Sequence, residues 1–329
     1  MRKPILAAVA ALLLGGPRAA VAQGCLPATE ELDPGTALIE PAALSGDTFV
    51  ATSQVQPSTL LIWARDGGNG WVGPTPLRVP SPVAFVDAAA FEGDVLLTEG
   101  QRQDGSKSLH VHERFGGGPW ASTLLVQVGA SSYFRDLMVD GAIVAAVQRT
   151  PGETLHLFEP AANGSWGALH TQLALPAGYQ GDLALEGGRL LYTTPTSIEQ
   201  YERFGPGDWR FTGRIAADHP VRLATRGEWL AVYVDHHVRL YRRQAGAPAG
   251  WAVAQDVQGM VPFVTSAVFA FGEDLLMVSD RVLALQYGRW WDATQICLYP
   301  GIEVAYLGTS GVDGTTAFRR FERPILPCR

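Results

Sequence analysis

Lysine is almost missing from this chain: Lys3 and Lys107 are the only two, and arginine supplies the rest of the 25 basic residues, against 32 acidic ones. A formal charge of −7 without a basic stretch excludes nucleic acid and anionic membrane surfaces as partners. Long apolar runs are missing beyond residue 22, which excludes a helical membrane span in the rest of the chain. Cysteine is scarce, with Cys25, Cys297 and Cys328 the full set. There is no G-x-S-x-G elbow, phosphate-binding loop or H-E-x-x-H pair, so no catalytic residue, metal site or cofactor is assigned. Adjacent cysteines of the kind a quinone-cofactor dehydrogenase would need are also absent.

What the chain has in quantity is a repeat. The segments 60–71 (LLIWARDGGNGW), 109–120 (LHVHERFGGGPW), 155–166 (LHLFEPAANGSW) and 198–209 (IEQYERFGPGDW) have equal length, with a longer copy at 238–251 and a shorter one at 282–290. They end on Trp71, Trp120, Trp166, Trp209, Trp251 and Trp290, and a glycine turn precedes each at Gly46, Gly93, Gly141, Gly187, Gly227 and Gly272. Runs such as Val95–Thr98, Ile143–Val147 and Leu275–Val278 are apolar and bounded by turn residues, as strands are. Gly46-Asp47, Gly93-Asp94 and Asp140-Gly141 supply the positive φ of a tight hairpin. A unit of four short strands every 40–50 residues cannot bury its own faces, so copies must stack around an axis.

The reading is all-β: a propeller of four-stranded antiparallel blades, with the tryptophans packed between blades rather than forming a ligand platform. Repeats fall at 38–84, 85–133, 134–178, 179–219, 220–262 and 263–298. Residues 299–329 supply a partial blade that the N-terminal segment completes, giving seven blades; six with a C-terminal extension is the alternative. With no linker rich in Ser, Pro or charge, 23–329 reads as a single domain.

Residues 1–22 read as a signal peptide: Arg2 and Lys3, then apolar Ile5–Leu14, then Ala20-Val21-Ala22. Its removal leaves 22 basic residues against 32 acidic, a balance of −10, on a periplasmic or secreted chain. Lipid anchoring at Cys25 is the alternative, which Gln23 and the missing Leu fit poorly. In a disulfide-permissive compartment Cys25 pairs with Cys328, or one of them with Cys297.

Three aspartates, Asp87, Asp136 and Asp182, begin the innermost strands, where a central channel opens. They are candidate ligand-binding residues at the channel mouth; the ordinary role for such an Asp is to accept hydrogen bonds from the turn of its own blade. His110 and His112 share a strand face and Asp235-His236-His237 a turn, but neither group has a third ligand at a telling spacing, so both read as surface residues.

The unit resembles the bacterial relatives of the integrin-alpha FG-GAP propeller repeats, on Phe85 with Asp87, Phe134 with Asp136, Tyr179 with Asp182, and the Glu-Arg pairs 113–114 and 202–203. The Gly of the FG start is mostly lost, and the turns hold one carboxylate each, too few for calcium. Residues 64–71 (ARDGGNGW) also resemble a degenerate Asp box. The resemblance implies a secreted or surface-associated binding scaffold, and the reading of the whole chain is an exported, monomeric, non-enzymatic propeller that binds a protein or glycan partner through its blade loops. A glycan-active hydrolase or lyase over the channel, and a structural subunit of a surface assembly, are the alternatives.

Overall fold

The computed structural model describes residues 30–32, 38–45, 48–53, 55–65, 71–150, 152–176, 182–234, 237–258, 269–271, 275–278, 281–286, 289–295, 302–305, 311–313 and 317–320. The protein is all-β. Its strands pair, in chain order, into four-stranded antiparallel sheets.

The first sheet is Leu38–Ser45, Thr48–Ser53, Thr59–Arg65 and Trp71–Arg78. The second is Val83–Glu92, Val95–Arg102, Lys107–Arg114 and Trp120–Val128. The third is Tyr133–Asp140, Ile143–Arg149, Thr154–Glu159 and Leu169–Ala174. The fourth is Leu183–Glu186, Arg189–Thr194, Ser197–Gly205 and Asp208–Ala216. The fifth is Pro220–Arg226, Trp229–Val234, His237–Arg243 and Trp251–Val257. The sixth is Phe269–Phe271, Leu275–Val278, Arg281–Gln286 and Arg289–Gln295. In the last sheet Ile302–Ala305, Gly311–Asp313 and Ala317–Arg320 are joined by the N-terminal strand Glu30–Leu32, with Glu31 opposite Arg319. The three cysteines, Gly46, Gly272 and most of the Asp-box-like segment lie outside the described residues.

From the first sheet to the sixth, the first strands of successive sheets lie side by side, so they line a common axis. Each apolar cluster draws on two neighbouring sheets. Val50, Leu60 and Leu77 meet Val86, Phe91 and Leu96, and Ala145, Leu155 and Leu157 meet Leu185, Leu190 and Trp209. The second strands are therefore buried on both faces, as Thr48–Ser53 is along its whole length. Trp166, Trp209, Trp251 and Trp290 are buried in these inter-sheet clusters, at the places the repeat assigns them. Gly93, Gly141, Gly187 and Gly227 turn the first strand into the second with φ between 58° and 59°, a left-handed conformation glycine adopts without cost.

The sheets are also latched by side chains. The acid that ends one first strand accepts an N–H from the glycine turn of the next sheet: Glu92 from Gly141 at 2.7 Å, Asp140 from Gly188 at 3.2 Å, Glu186 from Gly227 at 2.8 Å.

Candidate site at the mouth of the axis

The other end of the first strands is where the three sequence-assigned aspartates sit. Bulges re-aim the chain there: Asp87 is the extra residue between Val86 and Ala88, and the register of the third sheet slips between Arg135 and Met138. Asp136, inside that slip, has φ +50°, a left-handed conformation that costs a non-glycine residue roughly 1 kcal/mol. The fifth sheet has a matching bulge between Pro220 and Arg222.

These bulges bring charge together from four sheets. Asp87 pairs with Lys107, which also binds Gln101. Arg135 Nε lies 3.1 Å from Asp136 Oδ2, and Arg149 pairs with Glu153 at 2.7 Å. The Asp182 carboxylate accepts the Leu223 N–H at 2.7 Å and faces Arg222 at 3.6 Å. Its backbone is fixed from its own sheet, since the Asp182 N–H donates to Thr193 Oγ1 at 2.7 Å.

The sequence reading missed Glu99. This second-strand residue is 3 % exposed, and its Oε1 accepts the Phe134 N–H of the third sheet at 2.9 Å. The expectation that each acid accepts from its own blade holds only in part for Asp182, whose carboxylate meets the Leu183 N–H of its own sheet and the Leu223 N–H of the next. Its side chain, like that of Glu99, also reaches a backbone N–H of the following sheet.

Burial dominates the electrostatics. It pushes the Glu99 carboxyl up to about 7, against the Phe134 N–H and Lys107, with Asp87 adding to the rise. Burial likewise pushes Asp136 up to about 6, against Arg135, with Asp182 adding to the rise and Arg222 and Arg149 opposing it. Asp182 is raised by burial against Arg222 and two backbone N–H groups. Folded Glu99 thus holds its proton where the unfolded chain has released it, so its contribution to stability falls as pH rises from about 4.5 to about 7. Glu99→Gln keeps an oxygen for the Phe134 N–H and removes the ionisation. It is expected to be more stable than wild type at pH 8 by on the order of 2 kcal/mol, and equal to it near pH 4.5. Urea melts at both pH values check this; equal stability differences at the two would refute the burial account.

His110 and His112 are not surface residues: they are 4 % and 0 % exposed, because both faces of a third strand are covered by neighbouring sheets. His112 lies between Thr98 Oγ1 at 3.0 Å and Ser122 Oγ at 2.7 Å. His156 hydrogen-bonds Gln148 and His170, each at 2.9 Å. Burial pushes His110 and His156 down to about 4, and His112 to about 3 with help from His110. Among the described residues no group of three His, Cys, Asp or Glu is placed to hold a metal ion.

No family model matches this chain, and no curated protein matches it. Solved structures do. Human WBSCR16 matches over 87 % of this chain and 87 % of its own, with a TM-score of 0.51 at 11 % identity. Hsv2 of Kluyveromyces lactis covers 76 % of this chain and 70 % of its own, with a TM-score of 0.50 at 8 % identity. A fucoside complex of the Aleuria aurantia lectin covers 68 % and 78 %, with a TM-score of 0.39 at 14 % identity. With the sheet order above, the first two likenesses identify the fold as propeller-like and all-β.

Proposed function

We propose that this chain is an exported, seven-bladed β-propeller of degenerate FG-GAP-like repeats that binds a protein or glycan partner at the end where Asp87, Asp136 and Asp182 lie. The observation behind this reading is the convergence of charged side chains from four successive sheets onto bulged inner strands, with Asp136 held in a strained conformation. Bulges and strain of this kind re-aim side chains at functional places more often than elsewhere. The N-terminal segment supports export, and the acidic balance argues against nucleic acid. A seven-fold count rests on the strand Glu30–Leu32 completing the last sheet.

A hydrolase or lyase reading draws on one observation, the raised carboxyls of Glu99 and Asp136, which suit proton transfer near neutral pH. Glu99 is already committed to the Phe134 N–H of the next sheet and Asp136 faces Arg135, so binding is the better reading.

The test is capture by residues 23–329, on a glycan array and by co-purification from the exported protein fraction. Asp136→Asn, which tolerates the left-handed φ, and Arg222→Ala are expected to weaken the captured partner at least tenfold. Unchanged binding in both variants would move the partner away from this end.

A further inference from the structure

The interfaces between sheets repeat one ion pair, and the first interface lacks its carboxylate half. Between the third and fourth sheets, Glu159 takes Arg203 Nε at 2.7 Å, Trp209 Nε1 at 2.9 Å and the Gly207 N–H at 3.2 Å. Between the fourth and fifth, Glu202 takes Arg243 at 3.3 Å, while Trp251 Nε1 donates to Gln200 at 2.7 Å. The register fixes the equivalents: Arg114, Arg203 and Arg243 lie opposite Trp120, Trp209 and Trp251. Thr48 lies opposite Ala64 as Arg189 lies opposite Glu202, so Ala64 occupies the place of the carboxylate in the first sheet.

The side-chain donors opposite Ala64 are retained, while the Gly118 N–H, at the place of Gly207, donates to Phe115 O at 3.0 Å. Arg114 lies 5.2 Å over the Trp120 ring and is tied through Nε and Nη2 to Asp94 of its own sheet, each at 2.9 Å. Its Nη1 and the Trp120 Nε1 have no hydrogen-bond partner among the described residues. A cavity of about 440 Å³ opens between these donors and Ala64, with Ile62, Leu77 and Pro119 among its apolar walls. Arg78, also on the wall, makes no ion pair among the described residues.

We infer that this cavity is a binding site for a small carboxylate ligand, whose carboxylate takes the place that Glu159 and Glu202 fill at the later interfaces. Arg114 and the Trp120 indole N–H hold the carboxylate, Arg78 adds charge at the rim, and the apolar wall takes the body of the ligand. A preformed guanidinium with an indole N–H beside it is a charge-assisted donor set, and the cavity size suits a single sugar or ring. The site is independent of the channel mouth, since it lies by the turn between the third and fourth strands.

The full chain is titrated with sodium acetate, glucuronate and benzoate, with glucose and benzamide as neutral controls. Calorimetry and the ¹H–¹⁵N signal of the Trp120 indole, assigned through Trp120→Phe, report binding. Saturable binding of at least one carboxylate, with a shift of that indole signal and no response to the neutral controls, is expected. Preference for glucuronate identifies an acidic sugar, and preference for benzoate an apolar carboxylate. Ala64→Glu restores the internal carboxylate and is expected to lower binding at least tenfold while raising the melting temperature. Arg114→Gln is expected to lower binding at least tenfold by itself. Absence of saturable carboxylate binding in the wild type, or full binding by Ala64→Glu and Arg114→Gln, overturns the proposal.

Discussion

Glu159→Ala is expected to cost the fold about 4 kcal/mol, the size of effect seen when one partner of a buried ion pair is removed. The carboxylate is 3 % exposed and is the shared acceptor for a guanidinium, an indole N–H and a backbone N–H, all from the next sheet. Alanine leaves the buried Trp209 indole and the Gly207 N–H without their acceptor, and the desolvation cost of each is then uncompensated. Arg203 is a third exposed and can turn to water, which keeps the loss from being larger. Glu159→Gln retains an acceptor oxygen and is expected to cost about 1–2 kcal/mol. Glu113→Ala is the control. Glu113 holds the same register position in the second sheet, but Pro160 stands where the facing arginine would be, and a loss under about 0.5 kcal/mol is expected. Urea melts of the three variants give the order; a Glu159→Ala loss no larger than that of Glu113→Ala would refute the latch.

The second large effect is expected at His112. His112→Ala removes a fully buried ring and leaves the hydroxyls of Thr98 and Ser122 without their shared partner. A loss of about 3–4 kcal/mol at pH 7 follows from cavity and polar terms together. The loss has a pH signature. Folded His112 stays neutral down to about 3, while in the unfolded chain it charges below about 6.5. Below 6.5 the unfolded state therefore binds more protons, and this histidine's contribution is lost as pH falls. The gap between wild type and His112→Ala should narrow by about 1.4 kcal/mol per pH unit below 6.5. His110 and His156 act in the same direction, and the raised carboxyls act in the opposite one, Glu99 between 4.5 and about 7 and Asp136 between 3.8 and about 6. A constant gap from pH 7 to pH 4.5 would show that His112 is not held neutral by burial.

The sheets and their stacking were legible because they rest on features visible one residue at a time. Trp209 and Trp251 recur at the same step after a strand, and Gly141 and Gly187 sit where a left-handed residue is needed. The latches were not legible, although a signal existed. An acid directly precedes the turn glycine at Glu92, Asp140 and Glu186, and such an acid-glycine pair reads locally as hairpin chemistry. The side chain instead leaves its own hairpin for the next one, which pairing rules within a sheet do not encode. Glu99 was missed for a related reason: it lies mid-strand, without a motif, and its importance comes from a backbone N–H 35 positions away in sequence. His110 and His112 were misread because period-two alternation assigns one face to solvent, whereas a sheet stacked on both sides has no such face.

The sheet-to-sheet contacts also differ from one junction to the next. Glu159 meets Arg203 and Glu202 meets Arg243, but the second interface has Glu113 facing Pro160 and the first has Ala64 facing Arg114. A unit moved to another position keeps this ion pair only where a glutamate at the place of Glu159 meets an arginine at the place of Arg203. Of the first four sheet junctions, those on either side of the second sheet would tolerate such an exchange most easily, since neither holds this ion pair.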